Sequence, residues 1–211
     1  MANPNTPYGL RLAQRVGMAD FRDSLSVYYV PANTTNAIYE GDPVIKLAAS
    51  ADVNGIDGVN LATAGTSNKI TGVVCGFLGT GTAQLGLTAP SFFGLSGSPG
   101  PVYKPANAAT PYYLLVSDDP EALYSIQSND SGGVPAATIV GKNANLASGS
   151  GSPYTGWSGY QMAANQVGTS ANNQLAIVGV LQEPDNVAGL ANCKFLVRIN
   201  QNTNVNAGAG I

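Results

Sequence analysis

Short runs of Val, Ile, Leu, Tyr and Thr, each closed off by Gly, Pro, Asn or Asp, recur along the whole chain. They restrict its fold more than any other feature. The runs are SVYYVPA at 26–32, AIYEGDPVIKLA at 37–48, ITGVVCGFLG at 70–79, PVYKPA at 101–106 and PYYLLVSD at 111–118. LYSIQ at 123–127, ATIVGKNANLA at 137–147, QLAIVGVLQE at 174–183 and CKFLVRINQ at 193–201 follow. Several alternate with the period of a half-buried strand. In KFLVRIN, Phe195, Val197 and Ile199 face one way and Lys194, Leu196 and Arg198 the other. No segment sustains a helical period between caps, and single helical turns are expected only at Leu10–Arg15 and Asn186–Leu190. The pattern predicts an all-β chain, a jelly-roll-like β-sandwich with long loop excursions. Its core is expected to hold Val44, Ile45, Val73, Val74, Phe77, Leu114, Val116, Ile177, Val178, Phe195 and Val197. The domain is expected to span 23–201, with excursions at 79–100 and 148–160, an extended arm at 1–22 and a flexible tail at 202–211.

Composition narrows the role. Charged residues make up 10% of the 211, against roughly 25% in an ordinary soluble domain. At 44% hydrophobic the chain is rich enough to fold, so the missing charge, replaced by Asn, Gln, Ser, Thr and Gly, predicts an uncharged polar surface. Such a surface suits water-bridged contact with neighbouring protein. The net charge is −3 and the nine basic residues are scattered. No basic stripe exists to neutralise phosphates, so no direct nucleic-acid partner is expected. The opening residues lack the apolar core of a signal peptide, and no window reaches the roughly 18 apolar residues of a membrane span. The expectation is a chain made and kept in a cytoplasm, with no membrane partner. Cys75 and Cys193 sit in strand-like runs and read as buried free thiols rather than a disulfide.

The search for chemistry finds little. The chain has no histidine, which removes the commonest general base and metal ligand together with any Ser-His-Asp or Cys-His arrangement. Gly76, Gly79 and Gly81 fit no nucleotide-binding spacing. Asp118, Asp119 and Glu121 crowd three carboxylates after an apolar run. Adjacent aspartates on a strand point to opposite faces, and Pro120 blocks the strand from continuing. A turn joining YYLLV to LYSIQ is favoured over a calcium site or an acid–base pair. Glu183-Pro184-Asp185-Asn186 reads as a second such turn, between QLAIVGVLQ and CKFLVRIN. The expectation is no enzyme: no catalytic residue, no cofactor and no metal.

Candidate contact residues fall in three places. Pro4 and Pro7 hold the arm extended, and free in solution it should be mobile. Tyr8 is then an anchor and Arg11 a partner for a carboxylate when the arm orders on another subunit. Phe92 and Phe93 sit in a Gly- and Ser-rich loop that either folds back on its own sandwich or buries against a sister chain. Tyr154, Trp157 and Tyr160 lie among glycines, as a lid over the core, as a contact surface, or as a carbohydrate-stacking platform.

The ordered set MANPNTPYGLR, YEGDPVIK, ITGVVCGF, VYKPA, PYYLLVSDDPEALYSIQ, VGKNANLASGSGSPYTGWSGYQM, QLAIVGVLQEPDN and KFLVRIN resembles the structural cement proteins of tailed bacteriophages. The resemblance runs to about residue 201, apart from the 79–100 loop. It implies a β-rich homo-oligomer, a dimer or a trimer, that decorates the outer capsid surface of a virion and clamps neighbouring major capsid protein subunits. It carries no catalytic residues with it. Another virion component, of tail or adhesion type, and a carbohydrate-binding β-sandwich are the alternatives.

Overall fold

The computed structural model describes residues 3–15, 25–80, 101–205, 208 and 210. Phe92, Phe93, residues 81–100 of the expected excursion and 16–22 of the expected arm lie outside them. The chain is all-β, as expected. Five strands close into a barrel in the order β2 (Leu25–Val30), β5 (Asp57–Leu61), β4 (Pro43–Ala51), β6 (Gly72–Thr80) and β8 (Tyr112–Ser117). Six more form a sheet in the order β1 (Arg11–Arg15), β9 (Ala122–Gln127), β13 (Lys194–Ile199), β12 (Leu175–Val180), β10 (Asn143–Ala147) and β11 (Gln161–Gly168). The short strands β3 (Ile38–Tyr39) and β7 (Tyr103–Lys104) pair with each other. The jelly-roll part of the expectation finds no support in this pairing.

Sheet closure follows from neighbouring residues rather than from strand length. Ser128, just past β9, bridges to Met162 of β11, and Asn129 N–H donates to the Met162 carbonyl at 3.0 Å. The sheet therefore curls until its last strand meets the end of its second. Inside it, Leu10, Tyr124, Ile126, Leu146, Met162, Leu175, Ile177, Phe195, Val197 and Ile199 form one core, joined by Ala62, Ile70 and Val73 from the barrel side. Tyr28, Val30, Ile38, Val44, Val59, Val74, Leu114 and Val116 fill the barrel.

Three local expectations need correcting. Leu10–Arg15 does not make a helical turn, since Arg11–Arg15 pairs antiparallel with β9, and burial of Leu10 decides that conformation. Val178 is not in the core and is 46% exposed. The β12–β13 register shifts between Ile177 and Gly179, so Val178 is the unpaired extra residue of a bulge, which turns it outward. Ile45 and Phe77 only half bury, one against each core. The facing of the last strand holds, with Phe195, Val197 and Ile199 inside and Arg198 paired with Glu121 at 3.2 Å outside.

The SDDPEA segment is a turn, but it links the barrel to the sheet rather than two paired neighbours, because β8 pairs with β2 and β6 while β9 pairs with β1 and β13. Asp118 reaches back to β2, accepting from Ser26 Oγ at 3.0 Å and Tyr28 Oη at 2.8 Å. Asp119 Oδ1 accepts the Glu121 N–H at 3.0 Å. The Glu183–Asn186 turn joins β12 to β13, and Asn186 holds it. Its amide accepts Lys194 N–H at 2.8 Å and donates to the Leu181 and Lys194 carbonyls at 2.7 and 2.9 Å. Cys193 is buried, Cys75 is half-buried, and both are free.

The interior is more polar than composition suggested. Asn143, Asn145, Asn173, Gln174, Asn200, Gln201 and Asn202 are all buried. Gln174 accepts from Gly65 N at 2.8 Å and Leu146 N at 3.3 Å, and donates to the carbonyls of Thr63 at 2.9 Å and Asn68 at 3.1 Å. It so ties the segment leaving β5 to strand β10. Against the expectation of a flexible tail, Gly208 is held by Asn200 Oδ1 and Asn143 Nδ2, each at 2.9 Å.

Three variants check this arrangement. Phe195→Ala should cost about 3–5 kcal/mol in chemical denaturation, and Val178→Ala no more than about 0.5 kcal/mol. Gln174→Leu should cost about 3 kcal/mol or more by leaving buried main-chain groups unpaired. A Gln174→Leu cost near zero would mean that the two sheets are joined by their apolar core alone.

Candidate docking cleft

Residues 3–10 form a strap over the body, fixed at three points. Asn3 exchanges two hydrogen bonds with the main chain of Val187, at 3.1 and 2.7 Å. Gln127 Nε2 donates to the Pro4 carbonyl at 2.7 Å. Leu10 N–H donates to the Gly41 carbonyl at 2.9 Å, and its side chain is fully buried. The last contact depends on two glycines. Gly9 has φ of +74° and Gly41 +89°, and a Cβ on Gly41 would strike the Tyr8 carbonyl. The described arm thus lies on its own domain, where the sequence reading had it mobile until a partner ordered it. Leu10 burial and edge pairing by β1 are the physical reasons.

The 148–160 segment is equally anchored. Glu40 N–H donates to the Gly156 carbonyl at 2.9 Å, and Ser158 N–H to the Glu40 carbonyl at 2.8 Å. Its three aromatics separate. Tyr160 is a core residue whose hydroxyl donates to the Ala62 carbonyl at 3.0 Å. Tyr154 is 96% exposed, and Trp157 is 41% exposed. With Tyr160 buried, the three-ring platform for a sugar does not exist.

Strap and loop meet at Arg11. Its guanidinium carbon lies 4.9 Å from the centre of the Tyr8 ring and 4.8 Å from that of Trp157, within cation–π range of both. Beside them opens a cleft of about 360 Å³, lined by Leu10, Leu12, Glu40, Gly41, Val74 and Cys75 in addition to these three. Burial raises the Tyr8 hydroxyl pKa and pushes the Cys75 thiol up to about 11, so the thiol stays protonated at neutral pH. Of the candidate contact residues, the fold brings together Tyr8, Arg11 and Trp157. Pro4 and Tyr154 are exposed but do not line the cleft. The sequence reading missed Glu40 and Gly41, although Glu-Gly-Asp-Pro is a turn signature that could have marked them.

Under this junction lies a buried carboxylate. Asp42 is 2% exposed, accepts Tyr39 N–H at 2.8 Å and is hydrogen-bonded by the Ser158 side chain. Burial outweighs those bonds and raises its pKa to about 6. Burial, helped by the Asp42 charge, pushes nearby Tyr160 up to about 12. Lys104 is buried too, with Nζ donating to the carbonyls of Thr34 and Asn36 at 2.9 and 2.7 Å, and burial lowers its pKa.

Among the described residues, no group of three His, Cys, Asp or Glu side chains could hold a metal, and no helix is long and apolar enough to cross a membrane. Comparison with protein-family models, with curated proteins and with solved structures found no match to any of them.

The raised Asp42 pKa makes a signed prediction. Between the ordinary value of 3.8 and about 6, the folded chain holds a proton that the unfolded chain releases. Stability therefore falls as pH rises through that window, by up to about 3 kcal/mol in all, and the loss is complete above it. Asp42→Asn should flatten that part of the profile. A slope unchanged in the variant would place the proton linkage elsewhere.

Proposed function

We propose that this protein is a non-enzymatic virion component that decorates a bacteriophage capsid. It bridges neighbouring major capsid protein subunits from outside and braces the shell against the pressure of packaged DNA. The observation that carries this reading is the cluster of half-buried Tyr8 with exposed Arg11 and Trp157 beside a mixed polar and apolar cleft, on a body poor in charge. Tyr, Trp and Arg dominate binding hot spots because they offer large rigid contact area together with directed donors. Here all three are held by strap and loop, so little ordering is left to be done on contact. The resemblance of the ordered segments to cement proteins points the same way.

Decoration works by repetition. Each contact is small, and self-association as a homodimer or homotrimer links several contacts so that the second forms at high effective concentration. An uncharged polar surface favours such contacts over long-range steering by charge.

Purified protein mixed with undecorated shells should sediment with them in many copies per particle and raise the temperature at which they burst. A handful of copies at one vertex would make it a tail component, and no association at all would overturn the reading.

A further inference from the structure

The cleft beside Arg11 is bordered by strand edges. Leu10, Arg11 and Leu12 are consecutive, and all three line it. Successive strand side chains point to opposite faces, so a cleft touched by three in a row looks onto the edge of the strand. Among the described residues, strand β1 is the outermost in its sheet and pairs on one side only, with β9. Leu10 N–H turns the other way, to the carbonyl of Gly41, which lines the same cleft. Main-chain groups alternate along a strand, so the N–H and C=O of Leu12 face that side as well. On the other wall, β6 pairs with β4 only at Gly72 and Val73, so among the described residues the β4 side of β6 carries no strand from Cys75 onward.

The cleft also carries a cation without a carboxylate partner among the described residues, Arg11. Lys46, Lys194 and Arg198 each have a carboxylate within 3.2 Å. With rings of Tyr8 and Trp157 holding the guanidinium, its in-plane donors remain for a carboxylate to accept. Glu40, on the wall it shares with Gly41, repels a second acid and so fixes which end of an incoming segment is acidic.

We infer that the partner docks by laying an extended segment along the free edge of β1, pairing with the main chain of Leu12 and placing one Asp or Glu side chain on Arg11. The inference rests on the reading of this chain as a shell-binding protein and specifies how the shell is held. A register shift between Leu12 and Gln14 ends the usable edge after Leu12. The added ladder is therefore short. Specificity comes from the carboxylate and from an apolar neighbour settling between Leu12 and Trp157. A short bulged edge also guards the free protein against uncontrolled strand addition.

The test uses the full chain and undecorated shells. Arg11→Ala should weaken attachment about tenfold or more. Arg11→Lys should fall between, since a lysine keeps the charge and loses the fork. Both variants should shift the thermal unfolding of the free protein by no more than about a few degrees, because Arg11 is exposed and the Ala variant gives up only its two ring contacts. On binding, hydrogen exchange at the Leu12 amide should slow, while that at Leu10, already bonded to Gly41, should not change. Wild-type attachment with no change at Leu12 overturns strand addition and leaves the decorating role standing. An Arg11→Ala variant that attaches like the wild type overturns the carboxylate contact in the same way. Wild-type protein that fails to attach to shells removes the functional reading and this inference with it.

Discussion

Gln174 is the point on which the architecture turns. One uncharged side chain meets four main-chain groups, two as acceptor and two as donor, and those groups belong to the segment leaving the barrel and to a strand of the six-stranded sheet. An ion in that position would lose far more on desolvation, and an apolar residue would leave the four groups unpaired. Asn145 extends the same logic, donating to Thr66 and Gln166 while accepting Gln174 N–H at 3.1 Å. Asn200 does so for the carbonyls of Ala171 and Asn173. The low charge of the chain is thus partly an interior property. Amides replace ions where loops must be buried.

This joint ties barrel to sheet, and the strap crosses it. Leu10 is buried in the core shared by Ile70 and Val73 with the sheet, while its main chain is bound to Gly41 beside the barrel. The strap therefore spans the seam, and Arg11 emerges where the two units meet. A contact built on such a seam presents its donors already fixed. The same seam carries Asp42, a buried anion that costs stability at neutral pH. That is the kind of local expense a fold tolerates where a turn must accept bonds from two directions.

Much of the fold was legible in the sequence, because it depends on alternation and turn chemistry. The last strand, with its Phe195, Val197 and Ile199 face, needed nothing beyond period. Strands β5 and β11 were missed because DGVNL and QMAANQVG carry Asp, Asn, Gln and Gly, whose place in a sheet is decided by the partners they meet. Val178 was misplaced because a bulge leaves no mark on a run of apolar residues. Strand β1 was hidden for a related reason: RLAQR has no strong strand propensity and is extended by its pairing with β9. At the cleft, residue types pointed to Tyr8, Arg11 and Trp157 separately. Their convergence was invisible, since it rests on Gly9 and Gly41 approaching each other across 32 positions (41 − 9) of sequence.

On the proposed reading this chain is a passive clamp whose gripping face is the strap, β1 and the Trp157 loop. Electron cryo-microscopy of a decorated particle at side-chain resolution tests it most directly. This face should be turned to the shell, with density from the neighbouring subunit beside β1 and a carboxylate at Arg11. A decorated particle in which Tyr8, Arg11 and Trp157 point to bulk solvent would contradict it.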